Sequence, residues 1–218
     1  MGAWTLLLPH NAGCVKDGSM GCPVKRDLHS AVEIGGSMIV FGGVNYENSA
    51  LVTLNDVWSL DVAQKQWTLL FANDDSCDDS TCPETRYGPA AVAIGGKMIV
   101  SGGSDTIDTL SGTWSFDVSR RKWNKLHGGK QTEGNKLYQP AAVVHGIEMV
   151  LFFGYVDSVR NDVWSFDTFS RQWTQLKPDD ATCSSTCPVQ RWHQEGILVG
   201  DSIITFGGWS SSSVKNDV

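Results

Sequence analysis

The sequence predicts an all-β fold, a β-propeller with about four blades present. Two observations predict it: one block of residues recurs along the chain, and each copy reads as four short strands bounded by turn residues. The 218 residues include 23 Gly and nine Trp, a combination that suits short strands joined by tight turns. A missed repeat misassigns a whole fold, so the repeat leads the reading.

The first copy runs from Arg26 to Leu70, the second from Arg86 to Leu126, the third from Leu137 to Leu176, and the fourth begins at Arg191. Gly43, Gly103, Gly154 and Gly208 occupy equivalent places, at spacings of 60, 51 and 54 residues. In the first copy, His29–Ile34 is the expected first strand, closed by a Gly35-Gly36 turn. Met38–Phe41 is the second, a continuous apolar run of the kind that strands buried on both faces show. Val57–Asp61 and Gln66–Leu70 are the third and fourth.

The expected boundaries follow. Residues 1–25 carry the last strand of a preceding blade and a loop, because Ala3–Leu7 matches Gln66–Leu70. Blade repeats occupy 26–85, 86–136 and 137–190, and a partial repeat occupies 191–218. The chain reads as a single region cut from a larger propeller. The alternative is that Trp4–Leu7 completes the last blade and closes a four-bladed ring.

These blocks resemble the kelch family. The residues that carry the resemblance are the glycine pairs Gly42-Gly43, Gly102-Gly103 and Gly207-Gly208, the lone Gly154, the Asn-Asp-Val-Trp runs, and two tryptophans per copy: Trp58 and Trp67, Trp114 and Trp123, Trp164 and Trp173. The period fits kelch repeats better than the shorter WD40 repeat. The third copy departs from the pattern: Phe153 replaces the first glycine, and Leu137 stands where the others have Arg. The glycines supply backbone angles that other residues resist. The tryptophans fill the wedge between blades, each burying roughly 150–250 Å². The resemblance implies that the loops from fourth to first strand and from second to third strand share one face, where partners dock.

On that face the sequence places Arg26, Arg86 and Arg191. Two readings compete: a ring of cations for an acidic peptide, or side chains that each tie their own loop to backbone carbonyls. The next position holds Asp27, Tyr87, Tyr138 and Trp192; the position after the glycines holds Val44, Ser104, Tyr155 and Trp209. Tyr87, Tyr138, Tyr155, Trp192 and Trp209 with the arginines make the candidate binding set, since aromatics and Arg dominate interface hot spots. Packing at the blade edge is the competing reading for the aromatics. Asp56, Asp162 and Asp217, each preceded by Asn, are expected to shape the turn into the third strand.

All six cysteines fall in loops from a fourth strand to the next first strand, as the pairs Cys14/Cys22, Cys77/Cys82 and Cys183/Cys187, and a Pro follows each second Cys. Repeat equivalence selects within-loop disulfides among the possible pairings. Free thiols are the alternative, and zinc is disfavoured because ligand spacing is absent. Disulfides point to a secretory, lumenal or extracellular setting; reduced thiols would point to the cytoplasm. The acidic run Asn73–Asp79 could begin to supply calcium ligands, but reads better as a solvated loop.

The formal net charge is −7, with 17 Lys and Arg against 24 Asp and Glu, which argues against nucleic acid as a partner. No run approaches the ~20 apolar residues of a membrane span. The N-terminus lacks the charged start and apolar centre of a signal peptide. His10, His29, His127, His145 and His193 lie at non-equivalent repeat positions, so they form no repeated metal ring, and no cofactor is implied. The expected function is non-catalytic binding of a protein or peptide on the loop face. The alternative is a propeller enzyme or carbohydrate-binding domain of the galactose-oxidase type, with its site partly outside this segment.

Overall fold

The computed structural model describes residues 6–8, 21–47, 50–128, 136–183 and 187–218. The expected strand at Ala3–Leu7, and with it the closed-ring alternative, lies largely outside the described residues. Among the described residues, fourteen strands form three four-stranded antiparallel sheets and one two-stranded sheet. The first blade is β1 (Ser30–Ile34), β2 (Ser37–Glu47), β3 (Ala50–Asp61) and β4 (Gln66–Phe71). The second is β5 (Ala90–Ile94), β6 (Lys97–Ser101), β7 (Thr113–Asp117) and β8 (Lys122–His127). The third is β9 (Ala141–His145), β10 (Glu148–Val156), β11 (Ser158–Asp167) and β12 (Gln172–Lys177). The fourth contributes β13 (Glu195–Val199) and β14 (Ser202–Phe206). Successive first strands β1, β5, β9 and β13 lie side by side, which places them innermost in the arc. No described helix is long and apolar enough to cross a membrane.

Two expected strands are longer than the sequence suggested. β2 passes beyond Phe41 to Glu47 and β3 begins at Ala50, because pairing resumes as Gly43↔Leu54 after a bulge between Phe41 and Gly43. The third blade repeats this, with a bulge between Phe152 and Gly154. In the second blade the Asp105 carboxylate accepts the amides of Ile107 and Asp108, and a capped loop replaces the longer hairpin.

The core lies between blades. Trp114, Trp123 and Phe116 of the second blade pack with Ile39, Phe41 and Val57 of the first. Trp123 meets Phe41 with ring centroids 5.0 Å apart. Trp164 and Trp173 of the third blade pack against Val92 and Ile99 of the second, and Trp173 Nε1 donates to Thr113 Oγ1 across the gap at 3.1 Å. Each blade therefore seals its apolar face with its predecessor, at roughly 25 cal/mol per Å² of buried apolar surface.

The glycine pairs serve this stitching. The amides of Gly43, Gly103 and Gly154 donate to the carbonyls of Arg86, Leu137 and Arg191 in the following blade, at 2.9, 2.9 and 3.0 Å. The two members differ in backbone demand. Gly42, Gly102 and Gly207 have φ of 64–72°, while Gly43, Gly103, Gly154 and Gly208 have φ of 90–110°. The first value lies near the left-handed helical well, which other residues can enter at a cost; the second lies beyond it. Phe153 accordingly takes the first position at φ 63°, and the second position is glycine in all four copies.

Candidate functional site

Up-and-down strand order brings the β4-to-β5 type loops and the β2-to-β3 type loops to one end of the blades. There the two residue columns singled out in the sequence meet as cross-strand pairs: Asp27 with Val44, Tyr87 with Ser104, Tyr138 with Tyr155, Trp192 with Trp209. Each pair exchanges two backbone hydrogen bonds of 2.8–3.0 Å. One residue further on, Leu28, Gly88, Gln139 and His193 all turn left-handed, with φ of 51–64°. The Gly88 amide then donates to Leu28 O and the Gln139 amide to Gly88 O, which holds the pairs of adjacent blades in step.

This geometry joins the aromatic side chains from blade to blade. Tyr87 meets Tyr138 at 5.3 Å between centroids, Tyr138 meets Trp192 at 5.8 Å, and Trp192 meets Tyr155 at 5.6 Å and His193 at 4.4 Å. Trp192, His193, Gly208, Trp209 and Val214 line a cleft of about 290 Å³. Burial pushes the Tyr138 phenol up to about 12, reinforced by Tyr87, Asp27 and Tyr46. Burial lowers the His193 pKa, and Asp27 opposes that shift. Asp27 of the first blade thus acts electrostatically on residues of the third and fourth.

Apolar side chains that the sequence did not single out stand around this cluster. Tyr46 and Leu51 in the first blade, Ile107 in the second and Val214 in the fourth are exposed, Ile107 at 91%. With Tyr155 and Trp209, each β2-to-β3 type loop presents at least one large exposed apolar group. Their loops share no pattern, so the repeat gave no signal for them.

For the arginines the geometry matches the second of the two readings, loop ties to backbone carbonyls, and not the ring of cations. Arg26, Arg86 and Arg191 are withdrawn from the surface; Arg86 and Arg191 are each 1% exposed. Their Nε groups donate to Val24 O, Glu84 O and Val189 O, and their Nη1 groups to Gly42 O, Gly102 O and Gly207 O. Each guanidinium thus ties its loop to its blade, and none is free to receive an acidic peptide.

The aspartates are also reassigned. Asp56 and Asp217 receive two-pronged ion pairs from Arg26 and Arg191. The preceding Asn does the loop work: Asn55 Nδ2 donates to Asp74 O and Pro83 O, and Asn161 Nδ2 donates to Asp180 O and Pro188 O. These prolines follow Cys82 and Cys187, so one amide clamps each cysteine loop. Cys77 lies beside Cys82 and Cys183 beside Cys187, with Cα separations of 5.3 and 5.6 Å that suit a disulfide. The expected Cys14–Cys22 pair involves Cys14, which lies outside the described residues. Asp74 with Cys77 and Cys82, and Asp180 with Cys183 and Cys187, form two acidic-sulfur clusters, but their sulfurs are directed at each other. Asp74 and Asp78 instead accept hydrogen bonds from Ser76 and Ser80, which lowers both pKa values.

The described histidines stay apart. Among the described residues only His145 lies within ion-pairing distance of carboxylates, Glu148 at 3.9 Å and Asp201 at 3.5 Å, on an exposed surface.

Comparison with known proteins agrees with this architecture. The KLHDC2/KLHL20/DRC7 Kelch-repeats domain matches residues 11–208. Kelch domain-containing protein 3 of Rattus norvegicus is 30% identical over 203 residues, covering 87% of this chain and 49% of that protein. The leucine-zipper-like transcriptional regulator 1 homolog of Drosophila melanogaster is 26% identical over 201 residues, covering 88% of this chain and 19% of that protein. The chain thus spans about half or less of these relatives. The solved structure of YjhT superposes with a TM-score of 0.63 at 18% identity, over 84% of this chain and 59% of that one; it speaks to the fold alone.

Proposed function

We propose, since the chain belongs to the kelch-repeat domain family, that its loop face docks a protein or peptide partner through the axial aromatic cluster. Kelch-repeat domains are generally protein-interaction modules. The observation that carries the reading is the run of rings from Tyr87 through Tyr138 to Trp192, joined to Tyr155 and flanked by the exposed Trp209. Rigid aromatic side chains of this kind give large contact area for little entropy loss and dominate binding hot spots. The arginines contribute by holding the loops in place.

The test is affinity capture with the intact protein and with Trp192→Ala/Trp209→Ala. Loss of the captured partner with an unchanged thermal midpoint is the expected result. A partner retained by the double variant would place docking elsewhere.

A further inference from the structure

The geometry points to a positively charged side chain of the partner, Arg or Lys, as the group received at the axial cluster. It would sit between the Tyr138 and Trp192 rings on one side and the Asp27 carboxylate on the other. This inference rests on the docking function proposed above and names the chemistry of what docks.

The charge of the site is the first support. The three cations that the sequence offered to an acidic ligand are spent inside the fold, on Asp56, Asp217 and backbone carbonyls. Around the axis stand the Asp27 carboxylate and the phenols of Tyr46, Tyr87 and Tyr138, the first three of which raise the Tyr138 pKa, with Lys25 and Lys215 on the flanking loops. Asp105 and Asp157 stand on the neighbouring loops. An anion brought here would face the Asp27 charge, whereas a cation would meet that charge and the faces of the rings favourably.

The second support is the state of Asp27. Its side chain is solvent-exposed, and Oδ1 accepts the Leu28 amide at 2.8 Å. No cation among the described residues lies within ion-pairing distance of it. Lys136, on a nearby loop, pairs with Asp108 at 3.6 Å. Asp27 is therefore a fixed charge at the mouth of an aromatic site with no ion-pair partner in the described chain.

The third support is the arrangement of the rings. Trp192 is tilted 50° from Tyr138 and 40° from Tyr155, which leaves an open angle rather than a closed stack. The same fold already seats cations over rings elsewhere, Lys125 over Trp114 at 5.6 Å and Arg191 over Phe153 at 5.8 Å. Trp is the best ring for such a contact, and a carboxylate opposite the ring adds to it.

The experiment is a selection of random 12-residue peptides on the intact protein. A selected peptide is then titrated against wild-type, Asp27→Asn, Trp192→Ala/Trp209→Ala and, as a control for general acidity, Asp75→Asn. Enrichment of Arg or Lys next to apolar residues is expected. Asp27→Asn should weaken binding about fivefold, replacing the peptide's cation by Gln should do the same, and combining the two should add little further loss. Asp75→Asn should leave affinity unchanged. Peptides that need Trp192 and Trp209 but carry no enriched cation, or that ignore Asp27→Asn, would overturn the cation assignment and leave docking intact. Peptides indifferent to Trp192 and Trp209, or no selected peptides at all, would overturn the docking site itself.

Discussion

Arg26 grips Asp56 with two hydrogen bonds, Nη1 to Oδ1 at 2.6 Å and Nη2 to Oδ2 at 2.8 Å, and their side chains are only 5% and 1% exposed. Trp58 Nε1 donates to the same Oδ2 at 2.8 Å. One carboxylate therefore joins the loop into the blade to the indole that helps fill it. The fourth blade repeats the ion pair with Arg191 and Asp217. The middle blades each lack one partner. The second has Gly112 where Asp would stand, and Asp79 of the preceding loop takes over Trp114 Nε1 at 3.1 Å and Lys125 at 2.8 Å. Among the described residues Arg86 hydrogen-bonds carbonyls at 3.1 Å, and burial brings its pKa down to about 10 against the opposing pull of Asp79, Glu84 and Asp105. The third blade has Leu137 for Arg, and Asp162 Oδ1 is buried without a hydrogen bond.

The same substitution should therefore have opposite effects in two blades. Asp56→Asn strips a buried guanidinium of its counter-charge and should cost about 3–5 kcal/mol. Asp162→Asn removes a buried carboxylate that has no cation within ion-pairing distance, since Arg160 pairs with Asp179 instead, and keeps the acceptor for Trp164 Nε1. Its stability should equal or exceed wild type. Urea midpoints of the two variants decide this; equal losses would show that the pairing is irrelevant to stability.

Asp162 also sets a pH signature. Burial raises its pKa above the ordinary 3.8. A carboxyl raised in the folded state binds its proton more tightly there than in the unfolded chain. The associated stability is fully present below 3.8 and is lost as pH rises through the folded pKa. Asp162→Asn imitates the protonated form. The difference in Tm between this variant and wild type should therefore grow in the variant's favour as pH rises from 3 to 7. A constant difference would mean that Asp162 titrates normally.

How much of this was legible depends on whether a feature repeats. The glycine pairs, the paired tryptophans and the strand runs recur, so the blades could be placed from sequence. The two aromatic columns were also visible, at Tyr87, Tyr138 and Trp192 and at Tyr155 and Trp209. Their union into one cluster was not, because it depends on which side chains of successive blades face one another. The loop-tying role of the arginines was one of two open readings, but their carboxylate partners were not legible, because each lies far along the chain, 30 residues away for Arg26 and 26 for Arg191. Asp79 was illegible for a different reason: it repairs a gap in one copy only.

Phe153 tests the backbone logic of the glycine pair. Its φ of 63° carries left-handed strain, while its ring is buried under Arg191. Phe153→Ala loses the ring and keeps the strain. Phe153→Gly loses the ring and relieves the strain, worth about 1 kcal/mol. The glycine variant should therefore be the more stable of the two, the reverse of their usual order within a strand. Gly154→Ala should be worse than either at displacing the loop face, because φ is 110° and the new Cβ would lie 3.1 Å from Tyr138 O. Denaturation curves rank all three, and the usual order for Phe153 would refute the argument.

The cysteine pairs differ in what surrounds them, so their loss should differ as well. Cys77 and Cys82 are buried against Ile39, Phe41, Val57 and Trp114 where the first two blades meet. Cys183 and Cys187 are only half-buried. Closing such short loops is worth about 2 kcal/mol each on the chain-entropy account. Replacing Cys183 and Cys187 together by Ala should cost about that amount. Replacing Cys77 and Cys82 should cost more, since two packed sulfurs are lost from a core. Both expectations presuppose oxidised pairs in the cell. Intact mass after alkylation, with and without prior reduction, settles that point directly. Thiols protected until reduction would place the protein in an oxidising compartment and turn the search for its partner to extracellular or lumenal proteins. Thiols alkylated without reduction would remove the loop-closure contribution, equalise the pairs except for packing, and direct the search to the cytoplasm.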